Sequence, residues 1–140
     1  MPRRSIALSD WTSAEGLESN KLRFKRGDIL FGKLRPYFHK VGVAPVDGVC
    51  STDIVVVRPR SPEWFGFVLG HTSSDRFVEQ TDAGSTGTKM PRTNWGEMAR
   101  FTVVLPPPAV AQAFTAYMRP VVDRITTVTV LYSQAFLRVL

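Results

Sequence analysis

Apolar residues along this chain follow two rhythms, short runs over the first two thirds and a long helical repeat at the end. From Leu22 to Val43 the runs are brief: Gly27-Asp28 precedes Ile29-Leu30-Phe31, and Gly32-Lys33-Leu34-Arg35-Pro36-Tyr37-Phe38 follows. This pattern predicts two short strands joined by turns. Val49 leads through Ser51 and Thr52 into Asp53-Ile54-Val55-Val56-Val57, a β-branched run ended by Arg58-Pro59, which predicts a strand buried on both faces. Ser61-Pro62-Glu63 has the form of a helix start, with Ser61 as N-cap and Pro62 at the first helical position, so a helix is expected over about 62–70. A second short helix is expected over about 73–80, capped by Ser74 and turning Phe77 and Val78 inward. Thr81 to Asn94 lacks periodicity and reads as a long exposed loop. Trp95 to Met98 suits one helical turn, and Phe101 to Leu105 reads as a strand that Pro106-Pro107-Pro108 ends.

Beyond the prolines, Phe114, Met118, Val121, Ile125, Val128, Tyr132, Ala135 and Val139 are spaced 4, 3, 4, 3, 4, 3, 4. That is the repeat of a coiled-coil seam, and Phe114 to Tyr132 are the expected partner-helix contacts. The plainer alternative is a helix packed on its own domain. Pro120 would kink such a helix at a cost of about 3 kcal/mol, and Thr126-Thr-Val-Thr-Val130 is β-branched throughout. The fold class expected is α/β of the α+β kind: a small mixed β-sheet domain with short helices over 1–108, then a long coiled-coil-like helix over 109–140.

Composition narrows the partners. A chain of 140 residues with 44% apolar and 21% charged side chains is one globular domain with a core, which excludes disorder and disulfide scaffolds. The net charge of +6 favours polyanions, and it is concentrated: residues 1–40 carry nine basic and four acidic side chains, the remainder nine and eight. Cys50 stands alone, so no internal disulfide forms and a reducing compartment is expected. No apolar run of about 18 residues is present, and Met-Pro-Arg-Arg opens no secretory signal, so the expected location is the cytoplasm without membrane contact.

Several chemistries find no residues. A base methyltransferase needs a glycine-rich cofactor loop and an Asn/Asp-Pro-Pro-aromatic motif, whereas the proline run here follows Leu105 and leads to Ala109. A restriction-type nuclease needs a carboxylate two residues before a lysine, and no lysine has one. Gly84-Ser-Thr-Gly87-Thr-Lys89 is glycine-rich but misplaces the lysine of a phosphate-binding loop. His39, Cys50 and His71 lack close ligand spacing, so no metal and no cofactor is expected. A Cys50 nucleophile meeting His39 or His71 in space is the enzymatic alternative, set against a buried structural cysteine and a helix-terminal His71.

Two segments carry positive signals. Lys33-Leu34-Arg35-Pro36-Tyr37-Phe38-His39-Lys40 interleaves cations with aromatics, which suits phosphate contact and base stacking, or else makes a plain strand with a wet face. The loop from Gly84 to Asn94 offers hydroxyls, glycine-freed N–H groups and the Lys, Arg and Asn types that read base edges. On these grounds Lys33, Arg35, His39, Lys40, Thr86, Thr88, Lys89 and Arg92 are the candidate DNA contacts. Thr86 and Thr88 have the alternative role of turn residues, and His39 that of an exposed strand residue.

Taken in order, the pieces resemble the target recognition domain of the specificity subunit of type I restriction-modification systems. The residues that carry the resemblance are Lys25-Arg-Gly-Asp-Ile-Leu-Phe-Gly-Lys-Leu-Arg-Pro-Tyr-Phe-His-Lys40, then Cys50-Ser-Thr-Asp-Ile-Val-Val-Val57, then Gly84-Ser-Thr-Gly-Thr-Lys-Met-Pro-Arg92. It continues through Trp95 to Val104-Leu-Pro-Pro-Pro108 and Gln112. The resemblance covers roughly residues 20 to 135. It implies a non-catalytic subunit in which each of two domains reads half of a split duplex DNA site. Long helices packed antiparallel set the spacing and dock methyltransferase subunits, and a translocating restriction subunit completes the enzyme. One domain here, against two in the family, implies a single-domain or truncated form that pairs through residues 109–140 with a second copy or a second recognition domain. From another class, the rival is an interaction protein that uses its apolar helix without specific DNA recognition.

Overall fold

The computed structural model describes residues 1–9, 11–12, 15–16, 20–87 and 89–137, the last three of these by their backbone alone. Five strands and four helices follow in chain order: β1 (Lys21–Phe24), β2 (Ile29–Gly32), β3 (Val41–Val43), β4 (Gly48–Ser51), β5 (Ile54–Val57), α1 (Phe65–Thr72), α2 (Asp75–Ala83), α3 (Trp95–Ala99) and α4 (Pro108–Leu137). The expected α+β class is observed, and every pairing among the named strands is antiparallel. β1 pairs with β4, and β2 lies between β3 and β5.

Burial explains the strand order. All four residues of β2 are buried, and Ile29 and Phe31 join Val41, Val43, Val57, Phe65, Leu69, Phe77, Val78, Met98 and Val122 in one core. Two antiparallel pairings leave β2 no free edge, as an apolar run without polar alternation requires. The β-branched run over 54–57 is the edge strand instead, and three of its four residues are half-buried. A strand buried on both faces is therefore β2, not β5. Its entry is the turn at Gly27, whose φ of 87° suits glycine. Asp28 closes that turn by accepting from the Lys25 N–H at 2.7 Å.

After β2 the chain does not continue as a strand. Pro36–Phe38 form a 3₁₀ turn between Arg35 and His39, both in the left-handed region at φ 51°. β3 begins only at Val41, so the expected pair of strands is three. The expected strand over 101–105 is absent as well, because those residues have no ladder partner and Val104 is 90% exposed. Phe101 alone turns inward, against Phe77 and His71.

The helices divide by where their caps come from. Ser74 Oγ accepts from the Phe77 N–H and starts α2, and Asn94 Oδ1 does the same for α3 through Glu97, so local capping signals are realised. α2 runs on through the buried Thr81 to Ala83, which shortens the expected loop to residues 84–94. Ser61 makes no capping bond to the backbone. Instead Thr115 of α4 accepts from the Gly66 N–H at 2.9 Å and donates to the Glu63 carbonyl at 2.6 Å. A Cβ on Gly66 would lie 3.1 Å from the Thr115 Cα, so glycine is what lets α4 come this close.

α4 packs through Ala111, Thr115, Val122 and Thr126, while Arg119 stacks over the Phe65 ring at 3.7 Å. At about 100° per residue this stripe lies roughly a quarter turn from the heptad seam. Phe114, Val121, Val128 and Tyr132 of that seam are exposed, and Met118 and Ile125 are half-buried between the two stripes. Ala135 and Val139 fall outside the described side chains. Pro120 does not end the helix: it sits on the exposed face, as does Ala116, whose carbonyl loses its donor to water-accessible space.

Candidate nucleic-acid interface

The two segments singled out by their residue types, 50 positions apart, meet in the fold. Leu34 and Arg92 form an isolated antiparallel bridge, the Arg35 N–H donates to the Pro91 carbonyl at 2.8 Å, and the Thr93 N–H donates to the Lys33 carbonyl at 3.2 Å. Thr86 and Arg92 exchange both backbone bonds, at 3.1 and 2.9 Å, which closes the base of a loop. Gly87 takes φ 104° inside it. Lys89 and Met90 are exposed at its tip. Thr86 is a bridge residue with an exposed side chain, not the turn residue weighed for it, and Thr88 lies outside the described residues.

At the base of the loop Arg92 faces Asp53, Nε to Oδ1 at 3.0 Å and Nη2 to Oδ2 at 3.4 Å. Arg92 holds the Asp53 carboxyl below its ordinary value, mainly by that hydrogen bond, and Lys33 adds a smaller pull. Both partners are solvent-exposed, and such a pair is worth only about 0–1 kcal/mol. Its guanidinium is therefore pre-oriented and cheaply surrendered to another acceptor. Lys33 also lines a groove of about 570 Å³ with Arg23, Arg58, Trp95 and the strand residues Ile54–Val57. Trp95 is 59% exposed there, an aromatic face beside three cations. Neither Arg23, Arg58 nor Trp95 stood out in the sequence. An outward Trp just after the Asn94 cap, beside a loop of base-reading types, was the available signal.

Arg35, Lys40 and His39 belong to a neighbouring cluster around Phe38. His39 is not the exposed strand residue weighed for it. It is 8% exposed, its Nε2 lies 2.7 Å from the Ser73 carbonyl, and its Nδ1 lies 3.3 Å from Asp75, which also pairs with Arg4 at 2.9 Å. This ring ties the 3₁₀ turn to the start of α2. Lys40 Nζ lies 5.2 Å from the Phe38 ring.

The alternative of cysteine chemistry finds no geometry. Cys50 lines a cavity with Leu8, Phe24, Leu30 and Ile54 that neither histidine lines, and burial pushes its thiol up, away from thiolate. His71 packs among Phe67, Phe77 and Phe101. Burial, and then the charge of Arg76, lowers its pKa, which favours the neutral ring where it packs half-buried among those aromatics. Among the described residues no group of three His, Cys, Asp or Glu side chains could hold a metal ion, and no helix is long and apolar enough to cross a membrane.

Over 93 residues, 66% of this chain, the sequence is 30% identical to the specificity subunit of the type I restriction enzyme EcoDI from Escherichia coli. The chain is distantly related to a restriction specificity subunit. It spans about a fifth of that relative's length. No family model matches the chain.

Proposed function

We propose that this chain is a non-catalytic, sequence-specific duplex DNA-binding unit of the type I specificity kind. The observation that carries the reading is the Leu34–Arg92 bridge, which brings the segment of Lys33 and Arg35 against the loop that holds Thr86, Lys89 and Arg92. The distant relationship to a specificity subunit supports it independently. Residues 1–108 hold the reading surface, and the segment from 109 on, which contains α4, supplies the spacer. The exposed stripe of Phe114, Val121, Val128 and Tyr132 on α4 suits a second copy or second recognition unit, and methyltransferase and restriction subunits are the partners the relative implies. The unit performs its task by placing those subunits on a chosen site. Arg92 and Lys89 supply groups for guanine or phosphate, Thr86 a hydroxyl for either, and Trp95 a stacking face.

Salt tests the reading. If several phosphates are neutralised, log affinity for duplex DNA falls against log salt at about −0.9 per contact, whereas an interaction protein using only its apolar helix responds little. Lys89→Ala and Arg92→Ala are each expected to weaken binding; unchanged affinity in both removes the loop from the interface.

A further inference from the structure

Around the Phe38 ring the fold concentrates positive charge at a conformational cost. Arg3 Cζ stands 3.6 Å from the ring centroid, Lys40 Nζ 5.2 Å and Arg35 Cζ 5.9 Å. Among the described residues none of these three cations has a carboxylate within ion-pair distance. Arg35 Nε is buried without a hydrogen-bond partner. The ring face compensates the cations only in part, so their mutual repulsion leaves a place for an anion. Every non-glycine residue with positive φ among the described ones, Arg4, Arg35 and His39, lies at this site. Strained backbone of this kind persists where surrounding contacts enforce it, and it clusters at binding sites. Here the contacts are visible: the Arg4 N–H donates to the His39 carbonyl at 3.0 Å, and Asp75 holds both Arg4 and His39. Residues 3 to 6 are thereby strapped beside β3, with the Val43 N–H donating to the Ile6 carbonyl, and Arg3 is delivered onto the ring.

We propose that Arg3, Arg35 and Lys40, arranged on the Phe38 ring, form a phosphate-binding site. Two guanidinium groups and an ammonium, each within 5.9 Å of one ring centroid and from three backbone positions, suit the several oxygens of a phosphate, which guanidinium forks recognise. The half-exposed Tyr37, edge-on to Phe38 with ring centroids 4.6 Å apart, borders the site with a further hydroxyl. The source of the phosphate rests on the DNA reading above: a backbone phosphodiester, held without regard to sequence, beside the loop that reads bases. The chemistry of the site does not depend on that reading, because a free phosphate ligand offers the same oxygens.

The test uses the full chain with Arg3→Ala and Lys40→Gln, singly and together. Arg3 is exposed near the start of the chain, so its variant leaves the core intact. One arm titrates inorganic pyrophosphate by calorimetry at low salt; the other measures duplex affinity against salt. Wild type is expected to bind pyrophosphate, and the double variant to lose roughly tenfold or more. On DNA each single variant is expected to reduce the salt slope by about 0.9 while leaving the ranking of sequences unchanged. Pyrophosphate binding lost in the variants with an unaltered DNA slope supports the site and assigns it a free phosphate ligand. Pyrophosphate binding by a protein that binds no DNA supports the site and overturns the DNA reading. Equal pyrophosphate responses and equal slopes in wild type and variants overturn the proposal.

Discussion

Buried Asp28 and half-buried His71 each contribute to the acid response of this protein. Asp28 is nearly buried, and burial alone would raise its carboxyl; the paired bonds from Arg58 Nε and Nη2 at 2.7 and 2.6 Å, with the Lys25 N–H, outweigh that and leave it below its ordinary 3.8. A depressed carboxylate stabilises the fold above the unfolded value, and the contribution is lost as pH falls through the folded one. His71, depressed below 6.5 by burial, behaves likewise: its contribution is whole above 6.5 and declines below it, because only the unfolded chain then takes up the proton. Thermal stability is therefore expected to start falling as pH drops below 6.5, and His71→Gln to flatten that first decline. Arg58→Met leaves the Asp28 carboxylate without its main partner and is expected to lower the denaturant midpoint near neutral pH. Asp53→Asn is the contrasting case. Its exposed pair is worth little, so stability should stay within about 0.5 kcal/mol of wild type, while removal of a negative charge from the reading face raises DNA affinity severalfold.

Elements differ in how far their own residues announce them. Ser74 and Asn94 cap α2 and α3 through bonds spanning three positions, so those helices were legible locally, as was the turn at Gly27. The helical start at Pro62 was legible too, as a 3₁₀ turn over Pro62–Trp64 that leads into α1, but its cap was not, because the donor at Gly66 is satisfied by Thr115, 49 residues away. Nor was the fate of Phe101 to Leu105, whose β-branched residues favour a strand but find no partner edge. Thr115→Val tests the non-local cap. It keeps the shape of the side chain and removes two bonds, and is expected to destabilise by about 2 kcal/mol, loosening α4 from α1. On α4 the periodicity of the seam was legible in the sequence, but its companion stripe was hidden, because Ala111, Thr115 and Thr126 do not read as core residues.

For the whole molecule, the longest exposed apolar stripe lies on α4, away from the cations gathered before it. Cations occupy the loop and the β2–β3 connection; the unpaired apolar side chains Val110, Phe114, Tyr117, Val121, Val128 and Tyr132 run along α4. An apolar stripe of that length is costly in water, so the chain is expected to associate. Val121→Asp with Tyr132→Lys should shift sedimentation toward the monomer with circular dichroism unchanged, since both side chains are exposed within the single chain. A wild type that stays monomeric at high concentration contradicts this. The residue types of the reading surface were visible in the sequence; their union was not, because the Leu34–Arg92 bridge joins segments that no local pattern relates. Selection of bound duplexes from a random library at moderate salt tests that union most directly, with and without a methyltransferase partner. The account predicts enrichment of one short half-site that weakens when Lys89 and Arg92 are replaced. Binding without enrichment, even with the partner present, contradicts it.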